Sequence, residues 1–372
     1  MCIRESKTET MRVVYLSEYS ACQMSGVIKK ILGQTRVWRR LGHEVRLALV
    51  SSPCKSIDPA IGEAGRVFSS TFVSSLTGPP KTYINKILSS EAVRRFVVQF
   101  KPDYIYYRDG LWYPGLERIL SLAPYIIEVN TVPELELTGP RRWLHRMTKR
   151  RLYSHAAGIV AVTNEIASSL RHYNKQAFFF PNGIDTEQLR PRLPPSNTRP
   201  ALIFAGTPGQ RWHGVDKLLI MARKLPEFVF HVVGPSKVAD APPNIRFHGY
   251  ASPEKLSELY NIADVGIGTL ALHRIGMREA APLKVREYLA YGLPTIIAYD
   301  DPALRGLDCV LQLPNEEDLT PYTGAIREFV YSWAGKPISR REVLPRIDLA
   351  VIEEEKIARI TQLLRGQEKQ NA

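Results

Sequence analysis

Short apolar runs alternate along this chain with segments whose apolar residues recur every three or four positions, the pattern of buried strands joined by amphipathic helices. MRVVYLS (11–17) reads as a strand, a turn containing Gly26 leads into a helix to about Leu41, and EVRLALV follows as the next strand after Gly42-His43. Strand, Gly loop, helix, strand is the βαβ unit of a doubly wound sheet, whose binding crevice lies at the carboxyl ends of its strands. The alternation continues with a helix over 83–100, strands YIYY (104–107) and YIIEVN (125–130), a helix over 139–157, and strands at 158–163 and 177–181 flanking the helix NEIASSLRHY. Residues 51–80, rich in Ser, Pro and Gly, interrupt it and read as an irregular surface stretch bordering an acceptor cleft.

RPRLPPSNTRP (190–200), with four prolines and almost no apolar content, reads as an interdomain linker. Beyond it the alternation resumes: strands ALIFAG (201–206), FVFHVVG (228–234), IRFHGY (245–250) and DVGIGTL (264–270), with the helices VDKLLIMARKL and SPEKLSELYNIA between them. VIEEEKIARITQLLR predicts a long last helix that packs back across the domains. The layout expected is α/β: a tail over 1–10, a first domain over 11–189, the linker, a second domain over 201–340, and a returning helix and tail over 341–372.

Composition adds charge to this picture. The chain has 372 residues, 44% hydrophobic and 23% charged, ordinary for a globular protein with two cores, and no apolar run approaches the ~18 residues of a membrane span. The opening MCIRESKTET is polar and shows no secretory signal. Cys2, Cys22, Cys54 and Cys309 have no C-x-x-C spacing and no nearby His, which argues against a zinc site or a disulfide frame and for a reducing compartment, the cytoplasm, at the inner face of the membrane where membrane contact is made. The net charge of +13 is concentrated: residues 1–190 carry 27 basic and 16 acidic side chains, residues 191–372 carry 23 and 21. A basic first domain suits an anionic membrane surface, an acidic or phosphate-linked acceptor, or nucleic acid. GPRRWLHRMTKRRLYSHAA (139–157) concentrates this charge. Trp143, Leu144, Met147 and Leu152 fall near one helix face opposite its Arg and Lys residues, which fits either an interfacial helix on anionic lipid or a domain helix packed by its apolar stripe.

Candidate chemistry centres on REAAPLKVREYLAYGLPTIIAYDD (278–301). Pro282 fits a first helical turn, Ala281 at the expected cap position offers no side-chain acceptor, and Gly292 and Pro294 end the helix before the strand TIIAY. The open N–H groups around Leu283 present the positive end of the helix dipole to an anion, phosphate being the usual occupant. Glu279 precedes this helix start and Glu287 lies inside it, with Lys284 one turn before Glu287. Carboxylates accept from hydroxyls while lysine and amide ends neutralise phosphate, and a sugar linked to a nucleoside diphosphate has both needs. A solvated Glu/Lys/Arg face gives the same spacing. The loop with Gly206, Gly209, Arg211, His213 and Gly214 before a helix is a second phosphate cradle. In the first half, Arg108-Asp109 and Asn130 fall just past strand ends, on the side where ligands bind. Asp300-Asp301 before Pro302 reads as a turn and not as a metal-binding pair.

Glu279-x7-Glu287 within P-x-K-x-x-E-Y-x-A-x-G-x-P resembles the signature of the family 4 retaining glycosyltransferases. RRLGHEV, PNGIDTEQLRP, FAGTPGQRWHGVDKLL and FHGYASPEKLSELYNIADVGI are similar to that family's segments in the same order, from Met11 to about Arg365. The resemblance implies the GT-B fold, two facing Rossmann-like domains with a cleft between them, donor on the second and acceptor on the first. It implies that Glu279 holds donor-sugar hydroxyls, Glu287 the ribose, Lys284 and the amides near Leu283 the diphosphate, and the backbone near Tyr250 the base, with Gly26 admitting the first loop to the donor phosphates. The family's Arg after Gly206 and Lys before Gly214 are replaced here by Thr207 and His213, with Arg211 placed to substitute, and its His-Asp pair after the strand matching YIIEV is replaced by Asn130-Thr131.

The function expected is transfer of a sugar from a nucleotide-sugar, a substrate and not a cofactor, to a glycan, lipid-linked or other hydroxyl acceptor in polysaccharide biosynthesis, with no metal and no nucleic-acid partner. Glu279, Arg211 and Lys284 are the residues expected at the chemistry. A nucleotide-sugar epimerase or phosphorylase on the same fold is the nearest alternative. A non-catalytic basic module for membrane or nucleic acid accounts for the charge but not for two phosphate loops.

Overall fold

The structure, a computed structural model, describes residues 10–22, 24–73, 78–174, 176–190 and 192–371. Residues 1–9 of the expected tail lie outside them. The chain divides into two compact units, Met1–Phe180 with Leu349–Ala372, and Pro181–Asp348.

The first unit holds β1 (Arg12–Ser17), β2 (Glu44–Val50), β3 (Gly65–Phe68), β4 (Tyr104–Arg108), β5 (Tyr125–Val129), β6 (Gly158–Ala161) and β7 (Ala177–Phe179), ordered β3-β2-β1-β4-β5-β6-β7. Every pairing is parallel. A parallel sheet is covered on both faces, which is why its strands are continuous apolar runs; Val13, Val14, Tyr15 and Leu16 are all fully buried. The order reverses between β1 and β4, so the crevice of this unit opens at their carboxyl ends.

Three local expectations are corrected here. The stretch 51–80 is not wholly irregular: Asp58 caps a short helix Pro59–Ala64, and β3 pairs with β2 from Leu47↔Gly65 to Val50↔Phe68. Gly26 is not in the turn but is the first residue of the helix Gly26–Arg40, whose cap Ser25 accepts from the Ile28 amide. A disulfide joins Cys22 to Cys54, with 5.1 Å between their Cα atoms. No spacing motif announces this pair, because it depends on β1 and β2 being sheet neighbours whose exits lie side by side. With it goes the argument for a reducing compartment.

The last helix, Leu349–Asn371, belongs to the first unit. Leu349 packs so closely on Gly33 that a Cβ there would stand 2.6 Å from its Cδ2. Glu353, 1% exposed, accepts from Gln34 Nε2 and Trp38 Nε1, each at 2.9 Å, and from Lys356 Nζ. This buried carboxylate is satisfied on three sides, so it fixes the helix in place on the core instead of penalising burial.

In the helix Gly139–His155 the predicted apolar face splits. Leu152 is buried with His145 and Tyr153, whereas Trp143 and Met147 are 65% and 64% exposed. Among the described residues no helix is long and apolar enough to cross a membrane.

The second unit holds β8 (Ala201–Ala205), β9 (Val229–Val233), β10 (Ile245–Gly249), β11 (Val265–Ile267), β12 (Thr295–Ile297) and β13 (Val310–Gln312), ordered β10-β9-β8-β11-β12-β13, again all parallel. Its order reverses between β8 and β11. Ser252 caps the helix Pro253–Ile262 by accepting from the Lys255 amide, with Pro253 in the first turn where its missing N–H leaves no gap. The proline-rich stretch 190–200 lies within this unit. There the Arg192 amide donates to Tyr291 O at 2.9 Å, and Asn197 Nδ2 donates to the Asp264 carboxylate at 2.7 Å.

Candidate functional site

The site residues of the second unit come from three strand exits. Gly206 follows β8, and its amide donates to Val233 O at 3.0 Å, which draws the exits of β8 and β9 together. A Cβ at Gly206 would sit 2.7 Å from His213 Nδ1, so only glycine allows the loop to fold back on itself here. The loop ends in one tight turn, Arg211–His213, and Gly214 in the left-handed region at φ 70° starts the helix Val215–Lys224. The Leu270 and Ala271 amides then donate to His213 O and Trp212 O, tying this loop to the exit of β11 at the switch point.

The helix Leu283–Tyr291 follows in the chain before β12. Its cap is Pro282 and not Ala281, a shift of one residue that leaves the physical conclusion intact: no side chain accepts from the first turn, and no acidic residue lies in it. Lys284 reaches from this turn to within 4.1 Å of the Phe204 ring centroid. Its Nζ is shut off from solvent and has no hydrogen-bond acceptor among the described residues. Burial pushes the lysine down to about 7. His213, whose Nδ1 is likewise buried without a partner, is pushed down to about 3 by burial and by the charge of Lys284. An ammonium held out of water over an aromatic face gains some cation–π attraction but lacks its usual acceptors. An anion at this point would supply them.

The two carboxylates stand on either side of Lys284. Glu279 is bridged to Asp300 just past β12, with Arg305 Nη2 3.9 Å from its carboxylate. Glu287 accepts from the buried hydroxyl of Tyr260 at 3.1 Å, and Tyr260 clusters with Ile203 of β8 and Val233 of β9. Thr207 and Arg211 are exposed; the Arg211 guanidinium has no acceptor among the described residues. Tyr250, just past β10, is 92% exposed. From β12 towards β10 the order is therefore Glu279, Lys284, Glu287, Tyr250.

A buried ion pair holds the helix in register. Arg286, fully buried, binds Asp301 through both terminal nitrogens and donates from Nε to Asn182 O, while Asn182 Nδ2 donates to Ala281 O at 2.7 Å. The turn expected at the acidic pair is present, with the Leu304 amide donating to Asp301 O at 2.9 Å, but the Asp301 side chain is buried in the ion pair while Asp300 pairs with Arg305. No group of three or more His, Cys, Asp or Glu able to hold a metal ion occurs among the described residues.

At the carboxyl edge of the first unit, Arg108 and Asn130 join one buried network. Arg108 is the last residue of β4 and not past it. Glu128 of β5, 1% exposed, accepts from Lys30 Nζ at 2.8 Å, Arg108 Nη1 at 2.9 Å and Tyr15 OH at 3.3 Å, while Lys30 also donates to Asn130 Oδ1 at 2.9 Å. Burial alone would raise the Glu128 carboxyl, but Lys30 and Arg108 hold it well below the usual carboxylate range; burial lowers Lys30 to about 8 against the pull of Glu128. Neither Glu128 nor Lys30 was singled out from the sequence, although an acid inside the apolar run YIIEV is the signal that points to it. Gly26 is exposed as the first residue of its helix.

A family model described as Glycosyltransferase Family 4 matches residues 25–188. Among solved structures, a sucrose-phosphate synthase from Thermosynechococcus elongatus superposes with a TM-score of 0.72 at 14% identity, covering 96% of this chain and 100% of its own. A glycosyltransferase from Rickettsia africae gives 0.64 at 13%, covering 96% and 99%. HepE from Anabaena, in complex with UDP and glucose, gives 0.62 at 13%, covering 94% and 99%. These likenesses establish the GT-B fold over nearly the whole chain. No curated protein sequence matches it.

Proposed function

With a family 4 glycosyltransferase model matching residues 25–188 and a GT-B fold over nearly the whole chain, we propose that this chain is a glycosyltransferase whose second unit binds a nucleotide-sugar along the carboxyl edge of the sheet, and that the sugar passes to a hydroxyl acceptor with its anomeric configuration retained. One observation carries this reading: the buried, acceptor-less ammonium of Lys284 lies at an uncapped helix start, between a carboxylate near β12 and another near β9. The order fits a donor laid out with its sugar at Glu279, its diphosphate at Lys284 and the first-turn amides, its ribose at Glu287, and its base near Tyr250. The likeness to a protein crystallised with UDP and glucose supports the donor class.

In the proposed reaction the bond from the anomeric carbon to the leaving diphosphate oxygen breaks as the acceptor oxygen bonds on the same face. The acceptor's proton goes to the leaving phosphate oxygen. Lys284, Arg211 and the amide dipoles supply positive charge where the diphosphate gains negative charge, so catalysis is chiefly positioning and charge stabilisation. The acceptor is a glycan or lipid-linked hydroxyl used in polysaccharide assembly, met by the basic first unit in peripheral contact with anionic membrane. Transfer is expected to persist in EDTA.

A thermal-shift panel of UDP-, GDP- and ADP-hexoses tests the donor site, since a ligand at a hundred times its Kd stabilises by about 2.7 kcal/mol. One donor class should raise the unfolding midpoint. A panel with no response contradicts the reading, and a sugar converted in the absence of any acceptor points to an epimerase.

A further inference from the structure

We propose that the helix Gly139–His155 seats this protein on an anionic lipid bilayer, Trp143 and Met147 entering the headgroup layer while Arg146 and Arg150 meet lipid phosphates. The surface gives a location to the membrane contact proposed above and rests on that reading for its purpose. Its physical basis is independent of the donor site.

The packing of the helix decides which residues face outward. His145, Leu152 and Tyr153 are buried, which turns the opposite side, with Trp143, Met147 and Arg150, towards solvent. A single exposed apolar side chain is unremarked on protein surfaces, but here two large ones stand one turn apart. Leu135, 39% exposed, adds a third on the preceding short helix, and that helix is tied to this one by Arg142 donating to Glu134 O and by Lys149 pairing with Glu134.

Charge completes the pattern. No acidic residue occurs between Gly139 and His155, against six basic ones. Three of those six are engaged locally: Arg142 and Lys149 with Glu134, and Arg151 with Glu117 at 2.9 Å. Arg141, Arg146 and Arg150 are exposed and have no carboxylate partner among the described residues. An exposed face of Trp and Met flanked by arginines without acids is that of a helix lying in the plane of a membrane interface, its apolar side chains below the headgroups and its cations among them. The helix is too charged to span. A nucleic-acid surface would instead present successive aromatic rings for stacking, and Met147 occupies the place of the second ring.

Sedimentation of the full chain with phosphatidylcholine vesicles, with and without phosphatidylglycerol, reads the contact directly. Binding is expected only to the phosphatidylglycerol vesicles and should weaken with salt. Arg146→Gln with Arg150→Gln should lower the affinity by roughly fivefold per arginine. Trp143→Ala with Met147→Ala should lower it by at least about tenfold. Because all four side chains are exposed, the unfolding midpoint and donor binding should match the wild type, which separates failure of this surface from failure of the donor site. A blue shift of tryptophan emission on vesicle binding, lost in Trp143→Phe, assigns the inserted residue. Equal binding to both vesicle types, variants that sediment like the wild type, or capture of RNA with no vesicle binding would each overturn the proposal.

Discussion

Lys284 keeps an ammonium out of solvent, over the Phe204 ring, with nothing among the described residues to accept its hydrogen bonds. Such a group costs stability in the empty protein, and that cost separates a binding role from a structural one. Lys284→Met should leave the unfolding midpoint unchanged or higher in calorimetry, while donor binding loses the charge-assisted bond, about 1.5–3 kcal/mol or roughly ten- to a hundredfold in Kd. A structural lysine would behave the other way round. The pH dependence follows from the same residue. With the free lysine near 7, a diphosphate beside it favours the charged form, so binding above pH 7 takes up a proton and affinity falls as pH rises. Stability responds with the opposite sign. The unfolded lysine, at its ordinary 10.5, holds a proton that the folded one has lost, so between about 7 and 10.5 this residue makes the protein more stable as pH increases. Calorimetric titration of nucleoside diphosphate in buffers of different ionisation enthalpy, with Lys284→Met as reference, measures the uptake. Glu279→Ala should abolish most transfer with the fold intact; an undiminished rate ends that residue's assignment.

Elements whose signal is local were legible from the sequence. The helix Pro253–Ile262 carries its cap and proline in the first two positions, and the helix Leu283–Tyr291 ends at Gly292, in the left-handed region at φ 88°. Elements and contacts that depend on neighbours distant in sequence were not. β3 is a four-residue edge strand containing a glycine and an arginine, and only its pairing with β2 makes it a strand. Lys30 carries no local signal of its role, because its partner Glu128 is 98 positions away. The split face of Gly139–His155 was hidden for the same reason: periodicity counted Leu152 with Trp143 and Met147, whereas packing buries it with His145 and Tyr153. The pairing of Cys22 with Cys54 belongs to this class too, and its removal is testable. The bond closes a loop of 32 residues, so Cys54→Ser should cost about 3–4 kcal/mol in denaturant melts, an effect that dithiothreitol should reproduce on the wild type. A variant as stable as the oxidised wild type would show that the loops after β1 and β2 need no covalent tie.

Across the whole molecule, the charge and the candidate chemistry fall in different units. The basic excess sits in residues 1–190, and the orphaned cation, the uncapped helix and the paired carboxylates sit in the second unit. Fold likeness to glycosyltransferases extends over 94–96% of the chain and so includes that second unit. Everything functional then turns on whether an activated sugar is held at Lys284. Isothermal titration of UDP-, GDP- and ADP-hexoses into the wild type and Lys284→Met, both at pH 7, measures this most directly. One donor class should bind the wild type and bind the variant at least about tenfold more weakly. Absence of binding by every donor, or equal affinity in the two proteins, would contradict it.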